Sequence, residues 1–146
     1  MTPAIRNYAR ALATTESLKL SENFNLAEFT CGMSNPCKHC GAVAFISPQL
    51  VDMLEDIRAI VGKPIRILSG YRCLDHNREI GGATSSMHMV GFAADIAPPT
   101  GMSISRFYEL CQLGVKKYQG GCGCYIGSHF VHVDVRCLPP NRRWTQ

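Results

Sequence analysis

No stretch of this chain is apolar for long enough to cross a bilayer, which takes about 20 residues, so a membrane-inserted protein is excluded. The first residues, Met1 to Arg10, lack the continuous apolar core of a signal peptide. The product is therefore expected to reside in the cytoplasm when it is made. Basic charge is not concentrated anywhere: the net charge of +4 is mild and spread along the sequence. Weak attraction to an anionic polymer or surface fits that balance; a nucleic-acid-binding patch does not. No internal repeat is visible.

The chain has 146 residues, the size of one domain with room for a short appendage. Apolar residues make up 46% and charged residues 18%, ordinary for a globular protein, so a real core can form without metals or disulfides. Eight cysteines are unusual for a cytoplasmic product. They read as free thiols, a metal site, or disulfides formed after release.

Thr2-Pro3 is a helix start, and Ile5, Tyr8, Ala9 and Leu12 follow at helical spacing. Residues 1–23 are thus expected to form a short amphipathic helix and a polar linker. Asn25 with Glu28 three residues later predicts a short helical turn. Ser47-Pro48 opens the clearest helix, with Leu50, Val51, Leu54, Ile57, Ile60 and Val61 as its apolar stripe and Gly62 as its end. Ile65 to Ser69 alternates as a strand. Asp75 to Ser86 reads as a long polar loop, and Phe92 to Ala97 as a buried strand stopped by Pro98-Pro99. Ser103 caps a second helix ending near Gly114. Gly120 to Ile126 and Phe130 to Val135 form a hairpin turning at Gly127-Ser128, and Pro139-Pro140 begins an irregular tail holding Trp144.

Two short apolar segments carry imidazole and carboxylate groups. In the strand Phe130 to Val135, side chains alternate between faces, so His132 and Asp134 share one face and the three valines the other. Asp95 lies inside the apolar run Phe92 to Ala97, where a lone carboxylate is costly unless paired or metal-bound. His88 precedes it, with Gly91 allowing the chain to turn between them. If the two strands are neighbours, His88, Asp95 and His132 converge. Three protein ligands leave one of zinc's four positions for water, the mark of a catalytic site. Iron(II) also uses two histidines and a carboxylate, so the ligands alone do not name the metal.

The segment Ser86-x-His88-x-x-Gly91-x-Ala93-x-Asp95 resembles the signature of the zinc D-Ala-D-Ala carboxypeptidase family, which includes dipeptidases and phage L-alanyl-D-glutamate endolysins. Ser69-Gly70-Tyr71-Arg72, Asn77, Gly81-Gly82 and His132-Val133-Asp134 extend the likeness over roughly Phe24 to Trp144. The resemblance implies an α+β fold, a small antiparallel sheet flanked by helices as in D-Ala-D-Ala peptidases and Hedgehog-type domains, over residues 24–146. It implies one catalytic Zn2+ on His88, Asp95 and His132. Arg72 would hold the substrate carbonyl or carboxylate and stabilise the oxyanion. Ser86 either caps its loop or touches substrate, and Tyr71 either packs its loop or joins the substrate contacts. The family places a general base three residues before the last histidine ligand, where this chain has His129; Asp134 is the alternative base, or else orients a ligand imidazole. The similarity is closest to the carboxypeptidase branch, and the implied activity is that of a D,D-carboxypeptidase or a peptidoglycan endopeptidase, on a peptide bond in the stem or cross-bridge of bacterial peptidoglycan, met in the cell wall or periplasm after release or from a virion. A monomer, or a protein docked to a virion through its N-terminal helix, is expected. The competing expectations are a non-catalytic zinc-containing binding module and a virion structural component.

Cys31, Cys37 and Cys40 form C-x5-C-x2-C in a loop, and a second, structural ion there could take Cys73 or His39 as fourth ligand. Free thiols or a disulfide read equally well, because a second C-x-x-C is lacking. Cys122 and Cys124 share a strand face, a link from Cys122 to Cys137 is conceivable, and Cys111 reads as a plain core residue.

Overall fold

The computed structural model describes residues 18–32, 37–41, 43–136 and 139–146. The expected N-terminal helix and Cys137 lie outside these residues. Part of the segment read as linker packs on the domain: Leu18 and Leu20 touch the core, Lys19 bridges to Asn25, and the Asn23 side chain donates to Glu55 at 2.7 Å.

Helix α1, Pro48–Val61, starts after Ser47 and ends at Gly62, whose φ of 76° closes the helix with an N–H donated to Arg58 O. Leu50, Val51, Met53, Leu54, Ile57 and Val61 are buried along it. Ile60, expected in the stripe, lies beyond its edge and is 41% exposed. Strand β1, Arg66–Ser69, follows. Helix α2, Leu74–Glu79, then occupies the start of the stretch read as loop. Its six residues carry no apolar stripe, and only Asn77 is buried, so periodicity had nothing to detect. A 3₁₀ turn, Met87–Val90, leads into β2, Ala93–Ala97.

Helix α3, Ile104–Lys116, is capped by Ser103 Oγ, which accepts from Arg106 N–H at 3.1 Å. It ends two residues past Gly114, near the expected place. A Cβ at Gly114 would stand 2.5 Å from Ile57 Cγ1. The glycine serves close packing of α3 on α1. Strands β3, Cys122–Tyr125, and β4, Phe130–Asp134, form the expected hairpin. Strand β5, Arg143–Thr145, replaces the expected irregular tail.

The sheet order is β1-β2-β4-β3-β5. The first four strands pair antiparallel, as expected; β5 adds parallel to β3, so the sheet is mixed. Helices α1 and α3 cover one face, where Ile67, Ala94, Ile96, Cys122, Val131 and Val133 join the core with Phe107 and Leu54. Cys111 is fully buried in that core. The register Asp95↔His132 places those two side chains side by side on the opposite face. The pleat thus sorts Val131 and Val133 to the core and His132 to the cleft.

Candidate metal centre and active site

His88 reaches this face from the 3₁₀ turn. Ser86 Oγ accepts the His88 main-chain N–H at 3.2 Å and sets the turn. Gly91 ends it at φ 75°, and a Cβ there would meet the Phe45 carbonyl oxygen at 2.4 Å, so only glycine fits. His88 Nδ1 lies 2.7 Å from Gly70 O. A carbonyl only accepts, so Nδ1 carries the proton and Nε2 keeps its lone pair. That lone pair faces Asp95 Oδ1 at 3.2 Å.

His132 shows the mirror arrangement. Its Nε2 donates to Asp134 Oδ2 at 2.8 Å, which leaves Nδ1 facing the same Asp95 Oδ1 at 3.1 Å. Three electron-rich atoms converge on one point, all within 4.8 Å of one another. Neutral imidazoles and a carboxylate placed this way repel unless a cation sits between them. With no cation there, a proton lying between imidazole and carboxylate relieves that repulsion: burial opposes ionisation of Asp95, but hydrogen bonds donated by His132 and His88 then outweigh it and hold its carboxyl below the usual range. Burial likewise pushes His132 down, and Asp134 and Asp95 outweigh it and raise its pKa.

Asp134 is 0% exposed and sealed behind His132. Its oxygens accept from Gly121 N–H at 2.8 Å and from Arg136 Nε at 2.8 and 2.9 Å, besides His132. A Cβ at Gly121 would lie 2.7 Å from Asp134 Oδ2, so glycine lets the carboxylate sit there. Burial raises its pKa, but His132 and Arg136 outweigh this and depress it.

Arg72 follows β1. Its main-chain N–H donates to His88 O at 3.1 Å and its Nη1 to Asn77 Oδ1 at 2.9 Å. Asn77, 2% exposed, is itself held by donation to Ala83 O at 3.0 Å. A Cβ on Gly82 would come within 2.1 Å of Asn77 Oδ1, which accounts for the second glycine of the Gly81-Gly82 pair. Burial lowers the Arg72 pKa, yet a guanidinium stays charged.

Arg72, Ser86, His88, Asp95 and His132 line one cleft of about 930 Å³. Its far wall is aromatic: Tyr125 stacks on Phe130 at 4.5 Å, and Trp144 Nε1 donates to Tyr125 OH at 3.0 Å. Trp144 lies 5.3 Å from His132 and over Gly123, where a Cβ would stand 2.2 Å from the indole. Arg136 and Arg142 flank the indole at 5.3 and 5.6 Å. Trp144, Tyr125, Arg136 and the Asn77 brace were missed as site residues. The lone tryptophan in a polar tail was the signal available.

Two expected site residues lie elsewhere. His129 is exposed on the turn between β3 and β4, with φ 56°, and does not line the cleft. It precedes β4, and the turn directs it to solvent. Tyr71 packs edge-on against Phe45 at 5.1 Å and against Cys31, Cys37 and Cys73, away from the cleft. Burial, then the neighbouring thiols, push its phenol up to about 12.

A family model described as Peptidase M15 matches residues 22–134, the span that supplies the converging His88, Asp95 and His132 and the Arg72 brace. The chain belongs to that family, the zinc D-Ala-D-Ala carboxypeptidase-like peptidases. Peptidoglycan L,D-endopeptidase MepK of Escherichia coli K12 is 34% identical to this M15 chain over 106 residues, 68% of the chain and 54% of MepK. The MepK proteins of E. coli O157:H7 and Shigella flexneri match to the same extent. The M15 chain thus spans about half the length of the curated relatives it matches. The family match marks the chain as a peptidase of the M15 type. Among the described residues, no helix is long and apolar enough to cross a membrane.

Proposed function

We propose that this chain is a zinc-dependent endopeptidase that hydrolyses a peptide bond in the stem or cross-bridge of bacterial peptidoglycan. The observation that carries this reading is the convergence of three lone-pair-bearing atoms, His88 Nε2, Asp95 Oδ1 and His132 Nδ1, in a cleft shared with Arg72. The donor set fits zinc, with a coordination position left for solvent. A zinc ion held there would polarise a carbonyl oxygen and acidify water to a pKa of about 7.

The chain's own residues do the rest. Gly70 O and Asp134 fix both imidazoles in the tautomers that aim a lone pair at the metal. Arg72, braced by Asn77, binds the carbonyl oxygen or a peptide carboxylate and stabilises negative charge as it develops. The Tyr125, Phe130 and Trp144 wall, edged by Arg136 and Arg142, offers flat apolar faces and positive charge to a peptide strand bearing carboxylates. The likeness to MepK supports an endopeptidase over a carboxypeptidase and an L,D bond as the first to test. The endolysin and virion settings rest on the family resemblance alone.

Digestion of purified peptidoglycan, followed by mass spectrometry of the muropeptides, tests the reading. Products cut within the stem or cross-bridge are expected, and none after zinc is stripped. A single amino acid trimmed from stem ends would instead mark a carboxypeptidase. A second reading, a non-catalytic zinc-containing binding module, draws on the cleft itself: apart from Asp95, no carboxylate side chain lines it among the described residues. Zinc-loaded protein that binds the wall and releases nothing selects that reading.

His129 supplies a separate check. Because it is exposed and off the cleft, His129→Ala is expected to leave the hydrolytic rate within about twofold, under ~0.5 kcal/mol of transition-state stabilisation. A loss beyond tenfold in the same digestion assay would restore it as a base.

A further inference from the structure

Away from the cleft, the fold gathers four of the cysteines. Cys31 and Cys37 come from the loop before α1, Cys40 closes the turn Cys37-Lys38-His39-Cys40, and Cys73 caps α2. Their Sγ atoms all lie within 4.8 Å of one another, and Cys37 Sγ is 3.7 Å from Cys73 Sγ. Four sulfurs around zinc at about 2.3 Å stand ~3.8 Å apart along the edges of the tetrahedron. A disulfide instead needs one pair near ~2.05 Å. Here each sulfur has three sulfur neighbours rather than one partner, which is the layout of a metal site and not of two disulfides.

Main-chain amides point at these sulfurs. Cys73 N–H donates to Cys31 Sγ at 3.3 Å, and His76 N–H to Cys73 Sγ at 3.4 Å. The N–H groups of Cys40 and His39 also point at the Cys37 thiol. Amides donating to sulfur neutralise part of the charge that a tetrathiolate carries. The C-x2-C turn is also closed in its own right: Gly41, at φ 66°, donates its N–H to Cys37 O at 2.8 Å. These cysteines and Tyr71 form a small cluster separate from the main core. His39, the other candidate for fourth ligand, turns instead to Glu79 at 3.3 Å.

We infer that Cys31, Cys37, Cys40 and Cys73 bind a second, structural zinc ion that ties Cys31 and the turn holding Cys37 and Cys40 to the start of α2. Soft thiolates in a tetrahedral set select zinc or iron over hard cations, and all four positions are filled by protein, so the ion does no chemistry. The ion fastens the residue that directly follows Arg72 in the chain.

The inference stands apart from the hydrolytic reading and is tested by metal content. Full-length protein purified from zinc-supplemented culture is expected to carry two zinc ions by native mass spectrometry. His132→Ala should retain one, resistant to mild chelation and released by a mercurial thiol reagent. Zinc-edge X-ray absorption of His132→Ala should show an all-sulfur shell at about 2.3 Å. This measurement leaves the cysteines intact, so it holds even where Cys40→Ser fails to fold. If Cys40→Ser folds, it should retain only the zinc of the cleft. Nitrogen or oxygen ligands in that shell, an intact mass lighter by the hydrogens lost to disulfides, free reaction of these thiols without zinc release, or a coloured protein with iron in place of the second zinc would each overturn the inference.

Discussion

His132→Ala is expected to lose the metal of the cleft and to lower peptidoglycan hydrolysis by at least about 10³-fold, or ~4 kcal/mol of transition-state stabilisation. His132 supplies one of three converging donors, and it is the one aligned from both sides, by its register with Asp95 on β2 and by Asp134 behind it. Alanine leaves two protein ligands, His88 and Asp95, which no longer surround an ion. The loss is one of chemistry rather than of folding: His132 faces the cleft while Val131 and Val133 hold β4 to the core. A cooperative melting curve, measured with both proteins metal-free, should accompany the dead variant, its midpoint lowered only by the lost contacts of His132 with Asp134 and Asp95. Retained hydrolysis with zinc still bound in the cleft would refute the ligand assignment.

The same residue sets a pH dependence. In the metal-free protein the His132 pKa is raised, so the imidazole stays protonated to higher pH than usual. That ion pairing stabilises the metal-free fold fully below the ordinary histidine value of about 6.5 and is lost as pH rises through the raised value. For metal uptake the sign reverses. A protonated Nδ1 cannot ligate, so zinc affinity falls as pH drops below the raised pKa, about tenfold per pH unit for one displaced proton. Asp95, held ionised by its low pKa, adds nothing to this limb above its ordinary range. Titrating zinc binding across neutral pH and counting protons released measures both.

The candidate metal cluster was legible in sequence because two of its three members violate their surroundings: Asp95 in a run of alanines and His132 among valines have no cheap explanation in a core. The cysteine cluster was only half legible. Cys37 and Cys40 announce a turn, but Cys73 joins them through the fold, and no local pattern links it to Cys31. Trp144 was missed for a similar reason. Its strand has three residues, pairs in parallel with β3, and follows two prolines, so neither alternation nor a turn signal marks it. Gly114 carries two meanings: glycine after an apolar helical stripe marks the approaching helix end, two residues on, and it also lets α3 approach Ile57. His129 was placed by family resemblance alone, and the turn before β4, with φ 56° at that residue, leaves it exposed off the cleft.

Asp134 could act as a base or could hold His132 in place, and Asp134→Asn separates the two. Asparagine keeps the volume and can accept from His132 Nε2–H, but it carries no charge. Arg136 then loses its ionic partner at a site with no solvent access to the carboxylate. Breaking a buried ion pair costs about 3–5 kcal/mol, a fall in melting temperature of roughly 10 °C for a chain of this size. The His132 imidazole also loses a negative neighbour that increases its basicity, which should weaken zinc binding about 10- to 100-fold. Because the folded Asp134 pKa is depressed, its contribution is complete above the ordinary carboxylate value of about 4 and disappears as pH falls through the folded value. The gap in stability between wild type and Asp134→Asn should therefore close only in strongly acid solution. A general base would behave differently: its loss removes turnover at every zinc concentration while leaving metal affinity and melting unchanged. Saturating zinc is accordingly expected to restore most of the activity of Asp134→Asn, since the carboxylate faces Arg136, Gly121 and the far side of the imidazole rather than the cleft. Activity that stays lost with the metal site fully loaded would return Asp134 to proton transfer and require β4 to open at that position during turnover.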